Sequence, residues 1–417
     1  MRRRGPARLG AAILALGVGV VAWQAAQQTA PAPARAKGLP PPLSAAPPPP
    51  PTSLPGPVAA ADARARAPAA VHAVPDPTAG WSFDTTPLRP GEVEFCGVGR
   101  AAAESPVAKA LEQQANDQVA AAAERLFAVM ERSPDPLTRA AAMLARDERD
   151  ALAEAARRTS DATIYAMAMQ ACGRAGTQPR SPSCAALGAS QMARLDADNV
   201  VPWLAVSVEA TQRNDSLVVA EAVHRASLAQ ASRAREFLFA DLALSALPAD
   251  WPPRDAMLAS AKVLEIHAAL MLPSYLAVFQ YCAKERMQDA NAQQTCDRLA
   301  RVLIERGDTL IDYGLGRRLG ERAGWPAELV ELHDARFEAY RRTLADGDTL
   351  ASNVATAAGC QALGRGVRLA FAHARQGERA HVQSEVQRSG LSDAALLERH
   401  RADLKQRPPA PVASAPR

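Results

Sequence analysis

Proline decides where this chain can be helical. Eighteen of its 33 prolines fall within the first 90 of 417 residues, including the runs Pro40–Pro42 and Pro47–Pro51. A proline ring removes a backbone N–H and clashes with the preceding helical turn, so it is excluded from helix interiors and from central strands. Residues 27–90 therefore read as a disordered Pro/Ala-rich linker, an extended semi-rigid spacer of polyproline II character. From Ser105 to residue 400 only eleven prolines remain, most of them where a helix would begin. Ala and Leu dominate between them and aromatics are 4%. Because Ala loses no side-chain entropy in a helix, residues 91–406 are expected to form an all-α domain of closely approaching helices. Residues 407–417, RPPAPVASAPR, read as a disordered tail.

The first helix of that domain is well marked. Ser105 stands as N-cap before Pro106, and Leu111, Val119, Ala122, Leu126 and Val129 follow at three- and four-residue spacing. Further helices are expected at about 232–246, 254–271, 273–286, 293–307, 309–323, 326–345 and 350–375, with others reaching residue 404. No segment of strand periodicity stands out, so a sheet is not expected.

The N-terminus bears on compartment. MRRRGPAR is basic, and Leu9–Trp23 is apolar without a charge. Residues 1–26 read as a single-pass anchor of about 18 spanning residues, with the arginines cytoplasmic. The alternative is a cleaved signal sequence, for which Ala34-Arg35-Ala36 is the only good small-residue site and lies well past the apolar run. The domain is accordingly placed in the periplasm on a bacterial inner membrane, or free there after cleavage. The net charge of +4 belongs to this end: residues 1–80 hold eight Lys/Arg against two acids, which leaves the remainder at about −2. No clustered basic face remains, and nucleic acid is not an expected partner.

The best-formed stretch runs from Cys184 to Ser227. It reads as a helix ending near Arg194, a turn at Leu195-Asp196-Ala197-Asp198-Asn199, a helix opening at Pro202-Trp203, a turn at Asn214-Asp215, and another helix. This resembles the tetratricopeptide repeat. Leu195 opens the inter-unit turn, with Ala197 where that family usually has proline. Trp203 stands in the early bulky position, Val206 and Ser207 loosely match the Leu-Gly pair, and Ala226 is the late small residue. One unit upstream, Tyr165, Gly176 and Ala185 fall in the matching aromatic, turn and small positions if the loop between is longer. The resemblance spans 163–227 and is degenerate. It implies helical hairpins stacked as a right-handed solenoid, with Tyr165, Ala185, Leu195, Trp203 and Ala226 as packing residues and a concave face for a protein or peptide. A non-repeat helical bundle is the alternative.

Six cysteines suit an oxidising compartment and allow fifteen pairings. Cys172 ends one helix and Cys184 opens the next, and Cys282 and Cys296 stand in the same relation. Cys96 and Cys360 are left to tie the start of the domain to its end. A loop of about fifteen residues closed this way is worth on the order of 3 kcal/mol. No C-x-x-C or Cys/His spacing suggests zinc.

No recognisable catalytic or cofactor motif occurs. His373 and His381 flank Glu378, but Gly377 interrupts the helix between them, so surface histidines are expected rather than a metal site. His224 and His267 read as structural, Glu209 as a solvated carboxylate that could line a groove, and RRLGER and FEAYRR as solvated charged faces. The expectation is a non-catalytic, cofactor-free scaffold or interaction module. An enzyme acting on an envelope polymer, and an architectural subunit of a membrane complex, are the alternatives.

Overall fold

The computed structural model describes Thr78, Trp81 and residues 86–173, 181–235, 237–270, 273–352 and 359–406, with side chains of 345–352 and of 359 excepted. The apolar run Leu9–Trp23, most of the linker, Gly176 and the tail 407–417 lie outside these residues. Among the described residues no helix is long and apolar enough to cross a membrane.

The domain is helical but does not begin so. Strands β1 (Glu92–Phe95) and β2 (Gly99–Ala102) form an antiparallel hairpin in register Glu92↔Ala102, which corrects the expectation that no sheet forms. Four-residue strands are too short for a legible alternation. What holds the pair is a turn with Gly97 at φ 76° and a cross-strand ion pair, Arg100 to Glu94 at 2.9 Å. The other oxygen of Glu94 accepts the Cys360 N–H at 3.0 Å, beside the Cys96–Cys360 disulfide.

Seventeen helices follow among the described residues. The first four are α1 (Pro106–Glu131), α2 (Pro136–Ala145), α3 (Arg149–Arg157) and α4 (Ala162–Gly173). The central run supplies α5 (Pro182–Ala185), α6 (Ala189–Leu195), α7 (Val200–Gln212) and α8 (Ser216–Leu228). Then come α9 (Leu238–Ser245), α10 (Pro253–Ala268), α11 (Leu276–Tyr281) and a 3-10 turn at Lys284–Gln288. The last six are α12 (Ala290–Arg306), α13 (Leu310–Ala323), α14 (Ala327–Ser352), α15 (Gly359–Gln376), α16 (Glu378–Arg388) and α17 (Asp393–Gln406). Side chains of the flanking residues cap many starts: Ser105 accepts from Ala108 N–H, Asp135 from Thr138, Asn199 from Val201 and Thr309 from Asp312.

Three larger cores carry most of the packing, beside a small cluster of Ala189, Ala193, Val206 and Ala222 among α6–α8. The largest joins α1–α4 to α9, α10 and α15, and is rich in alanine (Ala122, Ala123, Ala140–Ala142, Ala153, Ala168) around Leu126, Phe127, Met130 and Phe239. The second lies among α7, α8, α11, α12 and α13, around Leu204, Leu299, Leu303 and Leu319. The third fills the space between α12–α14, α16 and α17. Packing is not confined to sequence neighbours: α10 lies against α1 and α15, and α8 against α12.

The central run departs from its reading at three points. The expected single helix from Cys184 to Arg194 is broken at Gly188, whose backbone is extended at φ −142° and ψ 148°. The Tyr165 hydroxyl holds the break, receiving the Gly188 N–H at 3.0 Å and donating to its carbonyl at 3.3 Å. Ala185 is exposed, and the buried small residue is its neighbour Cys184, bonded to Cys172 with Cα atoms 5.5 Å apart. Residues 231–235 are not helical, with Arg235 left-handed at φ 53°, so the expected helix from 232 starts at Leu238. Asn199 fixes that stretch by bonding both the N–H and the carbonyl of Arg233, and Ser232 makes a parallel bridge with Gly307. The expected helix 273–286 becomes α11 plus the 3-10 turn; of the expected helix 350–375, residues 353–358 lie outside the described residues and the rest falls in α14 and α15.

Candidate functional site

A cleft of about 540 Å³ opens among α12, α13, α14, α16 and α17. Helical periodicity assembles its walls. On α14, His333, Arg336 and Tyr340 recur at three and four residues and share one face; on α16, Arg379, Gln383, Val386 and Gln387 do the same. Trp325 enters from the α13–α14 turn, Leu391 from the α16–α17 link, and Asp393 and Leu396 from the start of α17.

The floor is aromatic. Tyr313 stacks on Phe337 with centroids 6.3 Å apart and meets Tyr340 edge-on at 5.3 Å. Its hydroxyl lies 2.8 Å from Nδ1 of His333. Burial pushes the Tyr313 phenol well above its ordinary value. Burial, then the charges of Arg336 and Arg317, push His333 down to about 4. A phenol that keeps its proton is the donor to a neutral imidazole, which assigns the remaining ring proton to Nε2. Trp325 packs flat over Gly320, where an added Cβ would fall 2.4 Å from the indole, and its Nε1 donates to Asp297 at 2.5 Å.

The rim carries guanidinium groups, each with a partner. Arg336 forks onto Asp393 at 3.0 and 2.6 Å, and that hydrogen bonding holds the Asp393 carboxyl below its ordinary range. Arg379 donates to the carbonyls of Ile304 and Glu305, where the dipole of α12 ends in partial negative charge. Arg301 lies over the Trp325 ring at 5.2 Å. The cleft thus combines a buried aromatic floor, apolar walls and guanidinium groups that are each paired within the chain.

Beside the cleft, the α12–α13 turn is a buried polar joint. Asp312 is fully buried, accepts from the Tyr275 hydroxyl at 2.7 Å, and is pushed up to about 7 by burial. Asp308 accepts from Ala234 N–H at 3.1 Å, and Glu378 receives the Leu310 N–H at 2.7 Å. Glu378 thereby caps the first turn of α13.

The other residues singled out in the sequence are dispersed. Trp203 is half-buried and donates to the Ala197 carbonyl at 2.8 Å. Leu195 packs partly against the largest core, and Ala226 is buried in the second. Tyr165 is buried beside Gly188. Glu209 accepts the Ala189 N–H at 3.1 Å and caps α6, which Gly188 cannot do with a side chain. Cys282 and Cys296 are bonded and fully buried, with Cα atoms 5.9 Å apart. His373 is not a surface residue: it is 4% exposed, 5.0 Å from Phe237 and 5.1 Å from His381, and burial pushes it down to about 3. Among the described residues no group of three His, Cys, Asp or Glu could hold a metal ion.

The cleft residues escaped sequence reading because RRLGER and FEAYRR pass for solvated charge. Arg317 instead pairs with Asp334 across to α14, and Tyr340 is buried. The readable signal was the recurrence of His333, Arg336 and Tyr340 on one helical face. No family model matches the chain, and no curated protein or solved structure matches it.

Proposed function

We propose that this chain is a non-catalytic interaction module of the cell envelope, binding a protein or peptide partner through the cleft of its last six helices. The observation that carries this reading is the cleft itself, where an aromatic floor lies beside an Arg336 fork that already holds a carboxylate, Asp393, a pairing that suits a partner with apolar and carboxylate groups. Three disulfides fit an oxidising compartment outside the cytoplasm. The apolar run Leu9–Trp23 and the Pro-rich linker are read as anchor and spacer, which put the domain on the periplasmic side of a bacterial inner membrane. Helices α6–α8 are read as a degenerate tetratricopeptide-like unit within the scaffold, with Trp203 a packing residue between helix pairs.

The test is capture from detergent-solubilised membranes with the full chain, beside a variant carrying Arg379→Ala and Gln387→Ala in the cleft wall. A partner held in fixed stoichiometry by the wild type and depleted at least about tenfold by the variant is the expected result. Equal retention by both would remove the cleft from the interaction.

A further inference from the structure

Helix α17 roofs the cleft with little apolar anchorage. Of its fourteen residues only Leu396 is buried, set among Ile304, Tyr313, Tyr340 and Val386, while Leu397 packs partly on the same core. The remaining attachment is ionic and goes to a single helix, α14. Asp393 pairs with Arg336, Asp403 with Arg342, and Arg401 with Glu331. Every one of these side chains is about a third or more exposed, up to 57% for Arg401, so water and salt screen all three pairs. The link to α16 is only Ser389–Ser392, with Gly390 at φ 72°.

The covered surface has the opposite character. His333 is 7% and Tyr340 6% exposed, and Ala335 and Val386 are buried beside them. Such residues are costly to leave in water, so they need a cover. A cover pinned by one leucine and screened charges is one that a similar helix can replace at small net cost. The surface is thus durable and its cover is not.

What the surface accepts is visible in what sits on it. The Asp393 carboxylate fills the Arg336 fork, and the leucine three residues further on fills the apolar pocket beside it. We infer that α17 is an internal occupant of a helix-docking groove, and that a partner's amphipathic helix bearing Asp with Leu three and four residues later takes its place. This rests on the interaction-module reading for the existence of a partner. The groove and its chemistry stand on the geometry of α14 and α17.

Two measurements on the full chain test it. Hydrogen exchange of residues 393–406 is followed at low and at 1 M NaCl, and a fluorescent peptide of Ser392–Gln406 is titrated against wild type, Leu396→Ala, and the double variant Asp393→Asn with Asp403→Asn. Exchange in α17 is expected to rise about tenfold with salt, as three screened pairs would give, while α1 and α12 are unchanged. The peptide is expected to bind both variants about tenfold tighter than wild type, because their resident helix is loosened, and to lose binding when its own Asp and first Leu are replaced. Salt-insensitive exchange in α17, or no peptide binding to either variant, would overturn the inference. A variant that dimerises, with the peptide dissolving the dimer, would make a second copy the occupant and so overturn the claim of a distinct partner. Peptide binding with no partner captured from membranes would sink the proposed function and leave the groove standing.

Discussion

The two ends of this domain are held together by different physics. Around α1–α4, α9 and α10 the contacts are alanine against leucine, phenylalanine and methionine, with Leu126, Ala141 and Leu152 fully removed from solvent and two disulfides alongside. Around α14, α16 and α17 the contacts are aromatic rings, guanidinium forks and one buried leucine on the last helix. Dispersion and burial are insensitive to salt, and small side chains let backbones approach closely. Ion pairs between half-exposed groups are screened and easily exchanged for others. The first arrangement suits a framework, and the second a surface whose contacts can be replaced.

The sharpest way to break this contrast is to cut into each end and compare. Phe239→Ala, at a side chain 1% exposed in the alanine-rich core, is expected to cost about 3–5 kcal/mol in denaturant unfolding. A loss below about 1 kcal/mol would show that core to be loosely packed and the contrast false.

Asp312, at the joint beneath the cleft, gives a pH-dependent probe. Its folded value of about 7 lies above the ordinary 3.8, so the folded state holds the proton more tightly than the unfolded chain does. The stabilisation is complete below about pH 4 and is lost as pH rises through 7. Relative to wild type, Asp312→Asn should gain stability across that window, by up to about 4 kcal/mol. His333 and His373 act with the opposite sign, since folded values of about 4 and about 3 mean stability present above 6.5 and lost on acidification. Chemical denaturation of wild type and variant at pH 4.5 and 8 checks this; a constant difference between them would place the Asp312 carboxylate in contact with water.

The smallest effect is expected at the ionic end. Asp393→Asn should lower global stability by less than about 1 kcal/mol, and by nothing measurable in 1 M salt. A loss of several kcal/mol in unfolding experiments would mean that α17 belongs to the framework after all.

These regions also differ in how far the sequence discloses them. Proline spacing and the Ser105-Pro106 start make an all-helical body legible, because both act through local backbone geometry. The bonded pairs Cys172–Cys184 and Cys282–Cys296 are close in sequence, and their spacing across a helix–helix connection is readable. The break at Gly188 is not, since it depends on a hydroxyl 23 residues away, and neither is the exposure of Ala185. The β-hairpin hides in strands too short for a pattern. The cleft is least legible: Arg301, His333, Arg379 and Asp393 come from four helices, and only folding brings them together. His373 likewise reads as a surface residue until α9, α10 and α16 close around it.

The bond between Cys96 and Cys360 spans 264 positions of sequence and sits next to the first residues of the domain. Tension applied through the segment that precedes Gly91 therefore meets β1 and passes by a covalent route directly to α15. The helices between them lie on a closed ring that carries none of the load. A pull at the N-terminal side cannot peel α1 to α14 away one after another without first cutting sulfur from sulfur, which makes this domain a poor spring and a dependable mooring.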